Sequence, residues 1–222
     1  MTSGSPRSAD PPEGSTPRWV SETVVAGIEA HLRQRELRRD ELFQRARRLR
    51  RLAQGTMTRM HEGHDLTAEL AEIHKATVEL ADWVRREARG DEALAHDAFQ
   101  ESVEASLLGA VIARREIPGP QELGVDPEPY LLGLGDLVGE VRRLALDRIA
   151  DGNVAAAEEY LRLMERLHRT LMRFDTTRGI VALKPKQDTA RALLERTRGE
   201  VTMARMLARH RPDGPGPPGA PE

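Results

Sequence analysis

The chain has 222 residues, of which 39% are hydrophobic and 32% charged, and its formal net charge is −2 at pH 7. This composition suits one domain with a buried core, and the near-zero net charge favours no class of binding partner. The sequence contains no cysteine, which excludes disulfides, thiolate metal sites and cysteine nucleophiles.

Residues 1–18 are rich in proline, glycine and serine, and residues 211–222 are rich in proline and glycine. Both compositions are typical of disorder. We predict disordered tails over residues 1–18 and 209–222, on either side of a helical domain over residues 19–208. The amino-terminal segment lacks the apolar run of a secretory signal, and no run of about 18 apolar residues could span a membrane. We therefore expect a cytoplasmic protein with no membrane partner.

Between the tails, apolar residues recur at helical spacing and no alternating strand pattern of useful length is present. The pattern predicts an all-α antiparallel bundle of about six to seven helices. In chain order, helices are predicted over about 20–60, 66–88, 91–115, 129–150, 154–173 and from Pro185 to 208, with a candidate break near 36–40 and a candidate kink at Gly199. The HEGHDLT segment at 61–67 is predicted to be a turn, and His61 and His64 are predicted to cap or solvate a helix end.

Two acidic pairs stand on two of these helices. Glu101 and Glu104 are spaced i, i+3, and Asp136 and Glu140 are spaced i, i+4, so each pair lies on one side of its helix. Four carboxylates inside a helical bundle are costly unless a divalent cation offsets their charge, and carboxylate oxygens suit Mg²⁺ or Mn²⁺. The pattern favours metal-assisted phosphoryl chemistry, with Arg143 holding a phosphate one turn beyond Glu140.

The helix that carries the second pair also contains three glycines, Gly133, Gly135 and Gly139. Each glycine inside a helix costs about 1 kcal/mol relative to alanine. This cost indicates that a neighbouring helix or a ligand approaches the helix closely.

Other interpretations of these residues remain open or are excluded. The acids could be surface partners of arginines one turn away, such as Glu140 with Arg143. A ferritin-like di-iron site needs Glu-x-x-His motifs, and neither acidic helix has one. HEGH at 61–64 has the wrong spacing for a zinc HExxH motif, and the sequence contains no Gly-rich phosphate loop. Aromatic residues make up only 3% of the chain, so any nucleic acid would be held mainly by its 31 arginines, although genomic base composition also explains their number.

Four segments of the chain resemble the translin family, and most closely its members like translin-associated factor X. They are QESVEA at 100–105, PGPQELGV at 118–125, YLLGLGDLVGEVRRLALD at 130–147 and ARALLERTRGEVT at 190–202. The resemblance covers roughly residues 37–208. The longer proline-rich tails and the proline at 185 depart from what we expect of compact prokaryotic members.

The resemblance implies a bundle of about seven antiparallel helices that assembles into a hollow homo-oligomer, commonly an octamer. It also implies a Mg²⁺-dependent endoribonuclease that cleaves single-stranded RNA, with single-stranded DNA as a further partner. The family's catalytic ExxE and DxxxE motifs fall on Glu101 and Glu104, and on Asp136 and Glu140, which would hold the metal. Two alternatives remain: an all-α nucleoside triphosphate pyrophosphohydrolase, and a non-catalytic translin-like oligomer that binds nucleic acid.

Overall fold

The computed structural model describes residues 21–174 and 179–210. Within these ranges the chain forms helices and no strands, which confirms the predicted all-α class. The helices are α1 (Glu22–His61), α2 (Thr67–Glu87), α3 (His96–Ile112), α4 (Pro120–Leu123), α5 (Pro127–Ala150), α6 (Val154–Leu171) and α7 (Leu183–Arg209). The predicted tail at 1–18 lies outside the described residues, as do residues 211–222 of the second tail, whereas Arg209 still belongs to α7.

Helix α1 is continuous over 40 residues, so the break considered near residues 36–40 is wrong. Ser21 caps the helix by accepting a hydrogen bond from the Val24 amide. No proline or glycine interrupts residues 28–54, and the charged run at 36–40 consists mostly of good helix formers. The helix is therefore about 60 Å long.

Helix α7 begins at Leu183, two residues before the predicted start, and continues through Gly199. The first amides of a helix have no partner within the helix, so Pro185 costs no hydrogen bond in the first turn. The loop predicted between the two acidic helices contains the short helix α4, whose start is held by a 2.7 Å hydrogen bond from the Gly119 amide to Glu122. The other helices agree with the predictions to within a few residues, apart from a 3₁₀ turn, Glu92–Ala95, that precedes α3.

The buried side chains form two clusters that meet at α3. The first lies between α1, α2 and the start of α3, and includes Leu42, Leu49, Ile73, Trp83 and Phe99. The second lies between the rest of α3, α5, α6 and α7, and includes Leu107, Leu137, Val138, Met164 and Leu183. Helix α5 contacts α3, α6 and α7, whereas α1 contacts α2 and α3. The two acidic helices, α3 and α5, are therefore direct neighbours.

Helix α1 enters the core only from Leu42 onwards, and its first half is held mainly through charge. The carboxylate of Asp91, whose side chain is 7% exposed, accepts two 3.0 Å hydrogen bonds from Arg35 and a further contact from Arg39. We call these three residues the Asp91 anchor. The hydrogen bonds from Arg35 hold the pKa of Asp91 below its usual range.

None of the described helices has the length and hydropathy needed to cross a membrane.

Candidate active site between α3 and α5

The two acidic pairs lie on the facing sides of α3 and α5, and two glycines let the helices around them approach closely. A Cβ atom at Gly133 would lie 2.7 Å from the Gln100 carbonyl oxygen on α3. A Cβ atom at Gly135 would lie 2.8 Å from the Cβ atom of Lys186 on α7. The close approach predicted from the glycines is confirmed at these two positions. At Gly139 the nearest atom is 3.9 Å away, in Leu193, so that glycine is not required by packing.

Three of the four carboxylates have a basic partner from a different helix. Arg50 of α1 bonds Glu101 at 3.0 Å, His61 at the end of α1 contacts Glu140, and Lys186 of α7 contacts Asp136. The Gln100 side chain also donates a hydrogen bond to Asp136. We call Glu101, Glu104, Asp136 and Glu140 the carboxylate cluster.

Glu104 is the centre of this cluster. Among the described residues it has no ion-pair partner. Burial raises the pKa of its carboxyl to about 8, and the charges of Asp136, Glu140 and Glu101 act in the same direction, opposed by Lys186. All four carboxylates are thus close enough to influence one another.

Glu101 is a second acid of the cluster whose pKa is raised. Burial raises its pKa, while the charge of Arg50 and a hydrogen bond from Gln54 lower it. One oxygen of Glu101, Oε2, is buried without a hydrogen-bond partner in the described structure. A buried acceptor of this kind costs about 1–3 kcal/mol when it is left unpaired, so it favours a further cationic or donor ligand.

The donor set fits a hard divalent cation in its chemistry, because it offers several carboxylate oxygens, one of them unpaired, at a site with excess negative charge. In the conformation described, however, no group of three His, Asp or Glu residues among the described residues is arranged to hold a metal ion. Asp136 and Glu140 face Lys186 and His61 instead. Side-chain rotation of the carboxylates is therefore needed before they could share one ion.

The interpretation of Glu140 as a surface partner of Arg143 is wrong, because Glu140 contacts His61 instead. Arg143 is exposed and makes no ion pair within the described residues, so a role in holding phosphate is left as a prediction. The interpretation of HEGH is correct only in part. His64 is 54% exposed, but the His61 side chain is 2% exposed and lies against Glu140 instead of facing solvent.

Sequence reasoning missed His61, Lys186, Arg50 and Gln100 as members of the site. His61 follows Arg50 by three helical turns, so a helical projection of α1 places both on one face. Lys186 had a weaker signal, in that it is one of only three lysines in the chain.

A model of the translin family matches residues 37–198 of the sequence. The chain belongs to the translin family. The match includes the whole carboxylate cluster, all of α2 to α6, and most of α1 and α7.

Solved structures agree with the family assignment. The complex of AfC3PO with duplex RNA is similar to this translin-family chain with a TM-score of 0.75 at 28% identity, over 84% of this chain and 99% of that one. The crystal structure of AfC3PO gives a TM-score of 0.74 at 29% identity, over 83% and 98% of the two chains. The structure of apo-NeC3PO, at 21% identity and a TM-score of 0.73 over 81% and 96%, shares the fold.

An uncharacterized protein of Methanocaldococcus jannaschii is 40% identical over 103 residues. The match spans 46% of this chain and 46% of that relative, so it covers about half the length of either protein.

Proposed function

We propose that this translin-family chain is a metal-dependent endoribonuclease that resembles translin-associated factor X and cleaves single-stranded RNA. The observation that carries the proposal is the carboxylate cluster, in which Glu104 is half-buried among three other acids without a cation of its own. A bundle gains no stability from such an arrangement when nothing positive binds there. Perturbed groups of this kind are characteristic of functional sites.

Glu101, Glu104, Asp136 and Glu140 are the residues that would hold Mg²⁺ or Mn²⁺. When bound, the ion would polarise a phosphate oxygen and lower the pKa of an attacking water. The protein side chains prepare the site around it. His61 and Gln100 orient Glu140 and Asp136, while Glu104 retains a proton near neutral pH as long as no metal ion is bound.

RNA as the partner is supported by the similar AfC3PO, which was solved with duplex RNA bound. In this chain, phosphate contacts would come mainly from arginine, as aromatic residues are only 3% of the sequence. Cleavage of single strands rather than duplexes is the finer part of the proposal. Family membership also favours RNA over the nucleoside triphosphate considered from the sequence.

A homo-oligomeric shell, most simply an octamer, is supported by unpartnered apolar surface on the chain. Val24, Ile28 and Leu32 form an exposed stripe at i, i+4, i+8 on the first half of α1. Met203, Met206 and Leu207 are exposed near the end of α7. Contiguous exposed apolar residues of this kind mark association surfaces.

A second candidate is a non-catalytic RNA-binding oligomer. It is favoured by one observation, namely that three of the four carboxylates already have basic partners and no three described acids or histidines are arranged around one ion.

The two functions are separated by incubating a labelled single-stranded RNA with the full chain, with Mg²⁺ or with chelator. The nuclease proposal expects cleavage that requires Mg²⁺ and is lost in Glu104→Gln, with the assembly mass unchanged by light scattering. RNA binding without cleavage under any metal condition would establish the second candidate. Unlabelled duplex RNA of equal length, added as competitor, tests the strand preference: competition equal to that of single strands would contradict it.

A further inference from the structure

Lys186 is a basic residue that acts on two members of the carboxylate cluster. Its ammonium group contacts Asp136 directly, and its charge also acts on Glu104 at the centre of the cluster. Arg50, by contrast, contacts Glu101 at the edge and is about half exposed, and the His61 side chain is buried. Lys186 is 28% exposed, so its position is accessible from solvent while remaining fixed by contacts.

Helix α5 holds the Lys186 side chain in place. The lysine stem lies against Gly135, where an added Cβ atom would meet its Cβ at 2.8 Å and its Cγ at 3.2 Å. Glycine inside a helix costs about 1 kcal/mol, and here it gives α7 the space to place this one side chain beside the acids. Lys184, two residues earlier, bonds the exposed Asp188 at 2.8 Å on the same helix. Of these two lysines, only Lys186 has this tight contact with α5.

An ammonium group has three N–H donors. Within the described residues, only Asp136 accepts a hydrogen bond from Lys186, which leaves two donors free. A cation with free donors next to an acid-rich site would attract a phosphate that the acids themselves repel.

We propose that Lys186 binds a non-bridging oxygen of the RNA phosphate that is cleaved. This inference rests on the proposed nuclease function. The reaction adds water across one P–O ester bond, so that one new end is a phosphate monoester and the other a hydroxyl. Lys186 donates hydrogen bonds to the phosphate and neutralises its charge, but it is neither consumed nor deprotonated.

The first test measures steady-state cleavage of labelled single-stranded RNA by the full chain at saturating Mg²⁺. Lys186→Met and Lys186→Gln should lower kcat on the order of 10²-fold with little change in KM, because one donor at the reacting phosphate is lost and the remaining RNA contacts persist. Lys184→Met is the matched control and should stay within about two-fold of wild type, because its contacts do not reach the reacting phosphate. If Lys186→Met reaches the wild-type kcat at saturating Mg²⁺ and differs only in the Mg²⁺ concentration that it needs, the lysine acts only as a counter-ion of Asp136 and the inference is overturned.

The second test measures RNA binding without cleavage. Lys186→Met and Lys184→Met are each placed in a Glu104→Gln background, and the RNA dissociation constant is measured at several salt concentrations in Mg²⁺. Loss of one phosphate contact should reduce the slope of log K against log salt by about 0.7 for single-stranded RNA. Equal slopes for Lys186→Met and Lys184→Met would overturn the inference.

The two tests distinguish the two proposals. If the wild type binds RNA but never cleaves it, the nuclease function fails, and with it the claim about the reacting phosphate; a reduced slope then still assigns Lys186 to an RNA phosphate. If the wild type cleaves and Lys186→Met cleaves equally well, only the inference about Lys186 fails. Lys186→Gln keeps an amide donor towards Asp136 and serves as the second variant where the methionine substitution lowers Tm below the assay temperature.

Discussion

Two acidic sites receive basic residues from α1, and they differ in the balance of charge: the Asp91 anchor has more basic than acidic groups, and the carboxylate cluster has more acidic than basic groups. At the anchor, one carboxylate receives two arginines and its pKa is lowered. In the cluster, four carboxylates share three basic partners, and the pKa of Glu104 is raised to about 8. An acid with surplus cations stabilises the fold, whereas an acid with surplus anions weakens it until a cation binds. This difference distinguishes an ion pair that stabilises the fold from an acidic cluster whose excess negative charge favours binding of a cation.

The largest expected difference between the two sites is in catalysis. Glu104→Gln and Asp136→Asn should each lower RNA cleavage on the order of 10²–10³-fold, because each removes a charged ligand or neighbour of the reacting phosphate. Asp91→Asn should leave kcat at saturating Mg²⁺ close to wild type. Rates are measured on a labelled single strand, and the assembly mass of each variant is checked by light scattering. A folded Glu104→Gln with full activity would contradict the role of the cluster.

For thermal stability, unlike catalysis, the larger loss should come from substitution in the Asp91 anchor. Asp91→Asn should lower Tm by several degrees, because it leaves Arg35 and Arg39 without their anion and releases the first half of α1. The matched control is Glu41→Gln, which removes an exposed i, i+4 pair with Arg45 and should change Tm little. Scanning calorimetry at equal protein concentration makes the comparison. Equal Tm values for the two variants would show that the anchor is not structural.

The pH dependence of stability should have opposite signs at the two sites. In chelator, the raised pKa of Glu104 means that the folded state binds a proton more tightly than the unfolded state, so its contribution to stability falls as pH rises from about 5 to 8. Denaturant unfolding should therefore show Glu104→Gln gaining about 1–3 kcal/mol over wild type across this range. The lowered pKa of Asp91 stabilises the fold above the unfolded pKa, and that contribution is lost as the pH falls below about 4. A Glu104→Gln stability difference that does not vary with pH would contradict the crowded-anion description.

The smallest effect concerns the packing that supports the cluster. Gly135→Ala should destabilise the protein by about 1–3 kcal/mol, because its Cβ would collide with the Lys186 stem. Gly139→Ala has room at 3.9 Å and should stabilise α5 by about 0.5–1 kcal/mol through helix propensity. Denaturant midpoints of both variants, measured in chelator, give the comparison. Destabilisation by both substitutions to the same extent would mean that close approach at Gly135 has no special role.

The sequence by itself determined the helical class, most helix positions and the acidic pairs, because these depend on local spacing. Helical periodicity and the absence of strand patterns are visible within windows of a few turns. The i, i+3 and i, i+4 spacings place Glu101 beside Glu104 and Asp136 beside Glu140 whatever the rest of the fold does. The glycines of α5 indicated close packing in advance, although the sequence could not say which of the three required it.

Only the tertiary structure decided which residues from other helices meet the acids. His61 was expected to face solvent at a helix end, yet the packing of α1 on α3 carries it to Glu140, which is 79 positions away in the chain. Lys186 reaches Asp136 across 50 positions, through the contact of α7 with α5. Local spacing does not show which acid such a partner meets, because that contact depends on how whole helices pack. The raised pKa of Glu104 has the same origin, as it arises from burial and from charges that the packing of α3 on α5 brings together.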